Sequence, residues 1–369
     1  MKILVTGSNG FVGKNLVEFL KTKEDLKLYL YDKHSTAEDL ELYCKDCDFV
    51  VNLAGVNRTM DSSQFINGNL GVIENVVNLL IKNNNKCPIV YSSSIQAELD
   101  NEYGKSKKIA EDFLFNYSNE NNAPVYVYRF PNLFGKWSIP NYNTVIATFC
   151  YNIARNIDIE ISDRNKNLTL AYIDDVVKEI YNAILGNPNK NGKFCVVNKV
   201  YIKSLGEIAD LIYKFKTTRE NMSVINTADE FEKKLYSTYL SFLPENEFVY
   251  SQKVNSDERG LFAELFRTEN AGQFSVNIAK PGVVKGNHWH NTKNEKFIVV
   301  KGKAEIKFRK PFSDEVIKYE VSGDEIKIVD IPCGYTHNIK NVGEEDLVFF
   351  IWCNECFDKF NTDTYSLEV

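Results

Sequence analysis

The first two hundred residues alternate short apolar runs with segments whose apolar residues recur at helical spacing. A run of this kind opens the chain and passes through a glycine-rich turn into a helical pattern. The predicted strands are 3–6, 28–32, 48–55 and 89–94, and the predicted helices are 14–20, 65–81 and 103–114. Strands that alternate with helices predict an α/β domain with a parallel, Rossmann-like sheet.

The pattern changes in the last third of the chain. Residues 204–243 are helical and charged, whereas short alternating strands separated by Gly and Asp turns follow. These predicted strands are 274–279, 296–300, 304–308, 316–319, 325–329 and 347–352. Regular short strands predict an all-β antiparallel barrel or jelly roll. We therefore predict two domains, residues 1–243 and 244–369.

The composition limits the classes of binding partner and the cellular compartment that we expect for this protein. Lys and Arg number 44 against 50 Asp and Glu, and no long basic run occurs, which argues against nucleic acid or an anionic membrane. The N-terminus enters a strand without a signal-peptide pattern, and no run of about 18 apolar residues is present, so we expect a cytoplasmic protein. The pairs Cys44/Cys47 and Cys353/Cys356 fall in different predicted domains and are expected to be idle thiols.

The turn after the first strand carries three glycines at regular spacing. They are Gly7, Gly10 and Gly13. Glycines here let the backbone turn sharply and approach a pyrophosphate, whose charge is favoured at a helix N-terminus. Asp32, at the end of the second strand, occupies the usual ribose-hydroxyl position and favours NAD, whereas Lys33 and His34 could meet a 2'-phosphate. These residues leave the choice between NADH and NADPH open.

A second chemical motif follows the fourth strand. Tyr103 and Lys107 share one helical face, nine and thirteen residues after the serine run that ends at Ser94. A phenol, with a reference pKa of about 10, needs a nearby cation to act near neutral pH. The third strand ends in Asn52-Leu-Ala54-Gly, where the backbone can pass close to a cofactor.

Together these motifs resemble extended short-chain dehydrogenases/reductases that act on nucleotide sugars. The further matching segments are 129–135, Arg-Phe-Pro-Asn-Leu-Phe-Gly, and 172–177, Tyr-Ile-Asp-Asp-Val-Val. The resemblance implies that Tyr103 protonates a carbonyl oxygen during hydride transfer and that Ser94 hydrogen-bonds the same oxygen. It also implies that Lys107 holds the cofactor ribose and lowers the pKa of the tyrosine.

The resemblance also suggests a substrate end for this site. It implies that Asn52 and Ala54 contact the cofactor and that Asn132 contacts the nucleotide sugar. Residues 136–143 suit a substrate loop or an ordinary surface loop. The arginine that the family often places just before the aromatic residue at 172 is absent, so we expect Arg164 or Lys166 to contact the phosphates.

Three of the four histidines lie in the predicted β domain. His288 and His290, two residues apart on a strand, point to one face, and Glu295 and His337 follow. Three imidazoles and a carboxylate suit zinc, or Fe(II), Mn(II) or Ni(II). The spacing resembles the two cupin motifs, which implies that these four residues bind a metal, for which we predict zinc. The usual leading glycine of the second motif is replaced by Ile326, and a metal-free sugar pocket is the alternative.

A cupin behind a nucleotide-sugar reductase resembles the bifunctional enzymes of capsular polysaccharide synthesis. That resemblance implies C3 epimerisation of a UDP-2-acetamido-2,6-dideoxy-4-keto-hexose by the cupin. It then implies NADPH-dependent reduction at C4 to UDP-N-acetyl-L-talosamine, on the way to UDP-N-acetyl-L-fucosamine, and a homodimer formed through the cupin. Candidates for moving the proton are Lys285, Lys296 and Tyr335, which lie close in sequence to the ligands.

Two alternatives keep part of this interpretation. In the first, the reductase acts alone and the cupin is a zinc-stabilised dimerisation module. In the second, the chain is a dinucleotide-sensing regulatory protein. The second is disfavoured because Ser94, Tyr103 and Lys107 are all present, and a sensor has no need for a proton relay.

Overall fold

The computed structural model shows two compact units. The structure describes residues 1–57, 63–142, 144–268, 270–360 and 362–369, without the side chains of residues 63 and 64. One unit comprises Met1–Tyr213 and Thr227–Pro244, and the other comprises Lys214–Asn226 and Glu245–Val369. The predicted boundary at residues 243/244 stays a prediction. No helix in the described ranges is long and apolar enough to cross a membrane.

In the first unit, the described residues form ten strands and the helices between them. The strands are β1 (Lys2–Thr6), β2 (Lys27–Tyr31), β3 (Phe49–Asn52), β4 (Ile89–Ser94), β5 (Val125–Phe130), β6 (Asn132–Phe134), β7 (Asn167–Tyr172), β8 (Lys190–Asn191), β9 (Phe194–Cys195) and β10 (Tyr201–Ser204). The helices are α1 (Phe11–Lys21), α2 (Ala37–Asp46), α3 (Ser63–Ile66), α4 (Val72–Lys82), α5 (Glu102–Asn121), α6 (Val145–Ala154), α7 (Ile173–Ile184) and α9 (Glu230–Leu240), with α8 (Leu205–Asn221) divided between the two units.

The main sheet has the strand order β2-β1-β3-β4-β5-β9-β8. Strands β1 to β5 and β9 are parallel, and β8 runs antiparallel to β9. Ile3, Leu4 and Val5 of β1 are completely buried, because a central parallel strand is covered on both faces. A smaller sheet has the order β10-β7-β6. The parallel, Rossmann-like architecture predicted from the sequence is confirmed.

Two predicted helical regions are interrupted in the structure. The predicted helix 65–81 is split by a π-helical turn at Asn67–Gly71, where two glycines weaken the helix. The turn buries Asn69, whose amide donates to the main-chain oxygen of Val56 at 3.1 Å and to Ser106 Oγ at 3.0 Å. Residues 204–243, predicted to be helical, contain two separate helices, α8 and α9.

The second unit is a sandwich of two antiparallel sheets. Its strands are β11 (Val254–Asp257), β12 (Gly260–Thr268), β13 (Gly272–Ala279), β14 (Val284–Trp289), β15 (Glu295–Lys301), β16 (Lys303–Arg309), β17 (Val316–Ser322), β18 (Ile328–Ile331), β19 (Thr336–Asn341), β20 (Leu347–Cys353) and β21 (Tyr365–Ser366). The sheet orders are β11-β12-β13-β20-β15-β18 and β17-β16-β19-β14-β21. This confirms the predicted all-β domain.

The core of the second unit follows the alternation of its strands. Phe297, Val299, Ile339 and Phe349 are buried together between the sheets. His337 lies two residues before Ile339 and therefore points to the same interior face. The predicted strand 325–329 begins later, at Ile328, because residue 325 pairs with Ser322 across a turn.

Candidate active site and candidate metal centre

A cleft of about 1130 Å³ lies in the first unit. Seven of the residues predicted to form the site line this cleft, namely Gly7, Gly10, Gly13, Ser94, Tyr103, Lys107 and Asn132. Four others, Asp32, Lys33, Asn52 and Ala54, are not among its lining residues. The fold thus brings the glycine turn and the Ser/Tyr/Lys motif to one place although they are about ninety residues apart in sequence.

The glycine turn has no room for side chains. Gly7 has a positive φ of 66°, and a Cβ there would lie 2.7 Å from the backbone nitrogen of Ala54. A Cβ at Gly13 would lie 2.2 Å from the main-chain oxygen of Gly7. Helix α1 begins at Phe11, between Gly10 and Gly13, with its first amides available to an anion. This bare turn at a helix N-terminus fits the pyrophosphate of a dinucleotide.

Asp32 lies beside the turn and already has two donors. The side-chain amide of Asn9 and the backbone amide of His34, the latter at 2.8 Å, both donate to its carboxylate. Lys33 and His34 are exposed next to it. An acceptor and a flexible cation therefore occupy adjacent positions, and the cofactor choice rests on which of them meets the ribose.

The Asn52 side chain does not line the cleft. Its side chain is fully buried and accepts a hydrogen bond of 2.7 Å from Thr6 Oγ1. The same Thr6 oxygen accepts from the backbone amide of Ala54 at 3.3 Å. Asn52 and Thr6 thus fix the loop after β3, and Leu53 and Gly55 of that loop line the cleft instead.

The motif residues Tyr103 and Lys107 are held by the first turns of α5. Asn101 caps the helix by accepting from the amide of Gly104 at 2.8 Å. Lys107 Nζ donates to the main-chain oxygen of Ser92 at 2.8 Å and lies 5.9 Å from the centroid of the Tyr103 ring. The Tyr103 hydroxyl donates to Asn57 Oδ1 at 3.1 Å, a partner that the sequence did not suggest.

Burial dominates the electrostatics of this pair. Desolvation lowers the pKa of Lys107 to about 8, although the negative charge of Glu111 opposes the shift. Desolvation also raises the pKa of Tyr103 above its ordinary value, although contact with Ser94 opposes it. The lowering of the tyrosine pKa by Lys107 that the resemblance implies is therefore not seen in this structure.

Loop 136–143, which was predicted to be a substrate loop or an ordinary surface loop, forms part of the wall of the cleft. Ile139, Asn141 and Tyr142 line the cleft, and Asn143 lies outside the described residues. Asn132 is exposed, and its amide donates to the main-chain oxygen of Thr169 at 3.2 Å. The loop therefore has the location expected of a substrate loop.

The predicted phosphate contacts are not found at the cleft. Arg164 is exposed and pairs with both carboxylate oxygens of Asp210 at 2.7 Å. Neither Arg164 nor Lys166 lines the cleft, and Lys107 has the only basic side chain among the described lining residues. Within the described lining, the other groups available to a bound diphosphate are backbone amides and neutral polar side chains.

The second unit gathers the four predicted metal ligands into one cluster. His288, His290, Glu295 and His337 each offer a ligand atom, and these atoms lie within 4.8 Å of one another. His337 Nε2 lies 3.3 Å, and His290 Nε2 3.8 Å, from Glu295 Oε2. A β-bulge between Gly286 and His288 sets the register in which His288 faces His337.

The ring nitrogens of this cluster fit a metal. His290 Nδ1 contacts the main-chain oxygen of Asp363, and His337 Nδ1 lies 3.4 Å from that of Tyr335. The Nε2 atoms of His290 and His337 are buried and have no hydrogen-bond partner in the described part of the chain. Buried imidazole nitrogens without partners are costly unless an ion binds them. The residues therefore fit a divalent metal such as zinc.

The charges around the cluster favour the protonation states that metal binding requires. Desolvation, with the neighbouring imidazoles His337 and His290, lowers the pKa of His288 to about 4. Burial alone would raise the pKa of Glu295, but contacts with His290 and His337 and the charge of Lys293 hold it well below the ordinary range. His288 is thus neutral and Glu295 ionised near neutral pH.

The candidate proton-transfer groups differ in position. Lys296 points outward from β15 and forms an ion pair with Asp330, so its prediction as a pocket residue is wrong. Lys285 points inward, and its Nζ donates to the main-chain oxygens of Leu261 and Ile278 at 3.2 Å and 3.0 Å. Burial lowers the pKa of Lys285.

Two further side chains near Glu295 were not suggested by the sequence. Lys293 Nζ lies 3.6 Å from Glu295 Oε1, and the Cys353 thiol donates to the same oxygen at 3.2 Å. The third proton-transfer candidate, Tyr335, packs edge-on against Phe308, with the ring centroids 6.5 Å apart. All eight cysteines are free thiols.

Comparison with known proteins covers both units. The family described as NAD dependent epimerase/dehydratase matches residues 3–198, and the Polysaccharide biosynthesis C-terminal domain matches residues 255–365. The chain is 51% identical to the crystal structure of the capsular polysaccharide assembling protein CapF from Staphylococcus aureus, with a TM-score of 0.95 and 100% of both chains covered. A crystal structure of CapF with the inhibitor 3-isopropenyl-tropolone is 47% identical, with a TM-score of 0.91 and the same coverage.

A characterised relative is also similar over the whole length. The UDP-2-acetamido-2,6-beta-L-arabino-hexul-4-ose reductase of Pseudomonas aeruginosa is 42% identical over 369 residues, covering 100% of this chain and 99% of the relative. The chain therefore belongs to the NAD dependent epimerase/dehydratase family and, over its full length, to the two-domain family that includes CapF.

Proposed function

We propose that the protein is a bifunctional nucleotide-sugar enzyme of capsular polysaccharide synthesis, on the route to UDP-N-acetyl-L-fucosamine. The cupin domain epimerises C3 of a UDP-2-acetamido-2,6-dideoxy-4-keto-hexose. The first domain reduces the C4 ketone with NADPH to UDP-N-acetyl-L-talosamine, and the protein forms a homodimer through the cupin. The observation that carries the reductase assignment is the joint lining of one cleft by Ser94, Tyr103, Lys107 and the three glycines.

The chain's own residues supply binding and a proton in the reduction. Bound NADPH supplies the hydride that C4 of the sugar receives. The glycine turn and the first turn of α1 hold the pyrophosphate, and Lys107 holds the ribose. The Tyr103 hydroxyl gives its proton to the carbonyl oxygen, while Ser94 donates a hydrogen bond to that oxygen. The raised pKa of Tyr103 keeps the phenol protonated before the reaction, as an acid must be.

The cupin supports the epimerisation through its metal ligands. The ketone acidifies the hydrogen on C3, so one proton is removed from one face of the sugar and one is returned to the other. His288, His290, Glu295 and His337 would hold a zinc ion, which would supply Lewis acidity for the negative charge that develops on the ketone oxygen. The inward position of Lys285 supports it as a proton-transfer candidate. The matched C-terminal family domain, residues 255–365, contains all four ligands.

The reductase step is tested by Tyr103→Phe. We expect NADPH oxidation with the UDP-4-keto-sugar to fall by about 10² to 10⁴, the usual contribution of a general acid. NADPH affinity should stay unchanged, because the phenyl ring remains in place. Tyr213→Phe, at an exposed position of α8, is the matched control. Undiminished turnover of Tyr103→Phe would refute the assignment.

The epimerase step is tested by solvent exchange in the full-length chain without NADPH. In deuterated water we expect NMR to show deuterium at C3 of the 4-keto sugar with the wild type and with Tyr103→Phe. His337→Ala should abolish this exchange but leave NADPH binding intact. Absence of exchange in the zinc-loaded wild type would leave the cupin as a zinc-stabilised dimerisation module.

A further inference from the structure

Residues 362–369 form a strap along the strand that carries His288. Strand β21 pairs with β14, with His288 opposite Ser366 and Trp289 opposite Tyr365. The rings of Trp289 and Tyr365 stack with their centroids 4.8 Å apart. The backbone amide of Leu367 donates to the main-chain oxygen of Asn287 at 3.0 Å. The strap is thus fixed to the metal-binding strand by backbone pairing and by an aromatic stack.

Asp363, at the beginning of the strap, contacts the metal centre in two ways. Its main-chain oxygen contacts His290 Nδ1. Its carboxylate accepts from the backbone amides of Asn291, Thr292 and Lys293, with shortest distances of 2.9, 2.7 and 2.9 Å. The Thr292 hydroxyl adds a contact of 3.2 Å. One residue therefore holds both a ligand ring and the turn that follows it.

The first contact sets the tautomer of His290. A carbonyl oxygen can only accept, so His290 Nδ1 carries the proton and Nε2 keeps its lone pair for a metal. The corresponding contact of His337, to the main-chain oxygen of Tyr335, is 3.4 Å and therefore weak. His290 is thus the more firmly oriented of these two ligands.

The second contact sets the distance between two ligands. The turn 291–293 joins His290 to Glu295, so its shape determines how the imidazole and the carboxylate approach each other. Three backbone amides that converge on one carboxylate form an anion-binding nest.

We propose that the Asp363 carboxylate positions the metal centre by fixing the 291–293 turn, which joins the ligands His290 and Glu295. This inference rests on the proposed metal site. Asp363 is separated from His290 by 73 residues in sequence and does not offer its carboxylate to the ion. Its effect is therefore on affinity and ligand geometry rather than on ligand number.

The test compares Asp363→Ala, Asp363→Asn and the control Asp358→Ala, all in the full-length chain. Asp358 lies five residues before Asp363, and its carboxylate accepts a hydrogen bond from the amide of Phe360 at 2.9 Å. Zinc affinity is measured by competition with a chromogenic chelator, and cobalt(II) is used to record ligand-field absorption. We expect Asp363→Ala to weaken zinc binding by about 10- to 100-fold and to change the cobalt spectrum.

The two other variants define what the result means. Asp363→Asn should recover most of the affinity, because its amide oxygen can replace Oδ2 as the acceptor of the turn. Asp358→Ala should match the wild type. Each cobalt spectrum is recorded below the melting temperature of the apo variant, so that it reports ligand geometry in folded protein.

The outcomes separate the inference from the proposed function. A wild-type chain that binds no zinc overturns the metal site itself. A wild type that binds zinc, together with an Asp363→Ala variant of equal affinity and identical cobalt spectrum, overturns the positioning role alone.

Discussion

Glu111 and Arg129 form a bidentate ion pair inside the first unit. Arg129 Nε donates to Glu111 Oε1 at 2.8 Å, and Arg129 Nη2 donates to Glu111 Oε2 at 2.6 Å. Ser93 Oγ donates to Glu111 Oε1 at 2.6 Å, and Arg129 Nη1 reaches Glu98 at 2.6 Å. The network joins α5, which carries Tyr103 and Lys107, to β4 and β5, and so fixes the helix against the sheet.

Glu111→Ala should destabilise the protein strongly. The Glu111 side chain is 0% exposed and that of Arg129 only 15% exposed, so the variant leaves a largely buried cation with one partner fewer. We expect the free energy of unfolding to fall by about 3 kcal/mol, as when one partner of a buried pair is removed. Urea unfolding followed by circular dichroism measures the loss.

The control for this prediction is Asp112→Ala on the same helix. Asp112 pairs with Lys108 at 2.9 Å, and both side chains are exposed. An exposed ion pair of this kind contributes about 0.5 kcal/mol or less. Equal losses in the two variants would contradict a special role of the buried pair.

Lys107 should make stability depend on pH in the alkaline range. Its folded pKa of about 8 lies below the reference value of 10.5, because burial disfavours the charged form. Between these pH values the unfolded chain binds more protons, so the free energy of unfolding rises with pH. At about 1.4 kcal/mol per pKa unit, the rise attributable to Lys107 is about 3 kcal/mol.

The measurement compares apo wild type with Lys107→Met at pH 7.5 and pH 10. The other titrating groups cancel in the difference between the two proteins. We expect the stability of the wild type, relative to the variant, to increase over this interval. A constant difference would show that Lys107 titrates normally in the folded protein.

Gly55 lies where a methyl group would disturb the site. A Cβ at this position would lie 2.6 Å from Asn69 Oδ1 and 3.2 Å from Lys107 Nζ. Gly55→Ala should therefore displace Lys107 and lower kcat/KM for the proposed reduction by about tenfold or more, since small misplacements in active sites are costly. Gly71→Ala, where a Cβ would meet nothing within 4 Å, is the matched control. Equal activities of the two variants would show that Gly55 tolerates a side chain.

The sequence predicted the parts of the fold that depend on local pattern. The glycine turn after β1 and the Tyr103/Lys107 pair on α5 follow from spacing alone, and the fold brings them to one cleft. The alternation of short strands likewise predicted the antiparallel unit. Local periodicity is enough in these cases because each element buries the face that its own residues define.

Long-range contacts could not be predicted in this way. Asp363 reaches His290 across 73 residues, and Arg129 reaches Glu111 across 18, and neither pairing leaves a periodic signal. Lys296 was placed in the pocket only because it follows Glu295, yet adjacent residues of a strand point to opposite faces. The hydrogen bond between the buried side chains of Thr6 and Asn52, which lie 46 residues apart, was likewise not suggested by the sequence.

The metal centre gives the last prediction, which compares two of the four histidines of the chain. His337→Ala removes a buried ligand whose Nε2 lies 3.3 Å from Glu295, and we expect zinc content measured by elemental analysis to fall from about one ion per chain to near zero. His34→Ala removes an exposed histidine of the first unit and should leave zinc content unchanged. Because an ion bound only by the folded state stabilises it, a chelator should lower the melting temperature of the wild type and of His34→Ala. The same chelator should leave His337→Ala unaffected, and a chelator-induced drop of equal size in all three proteins would place the stabilising ion elsewhere.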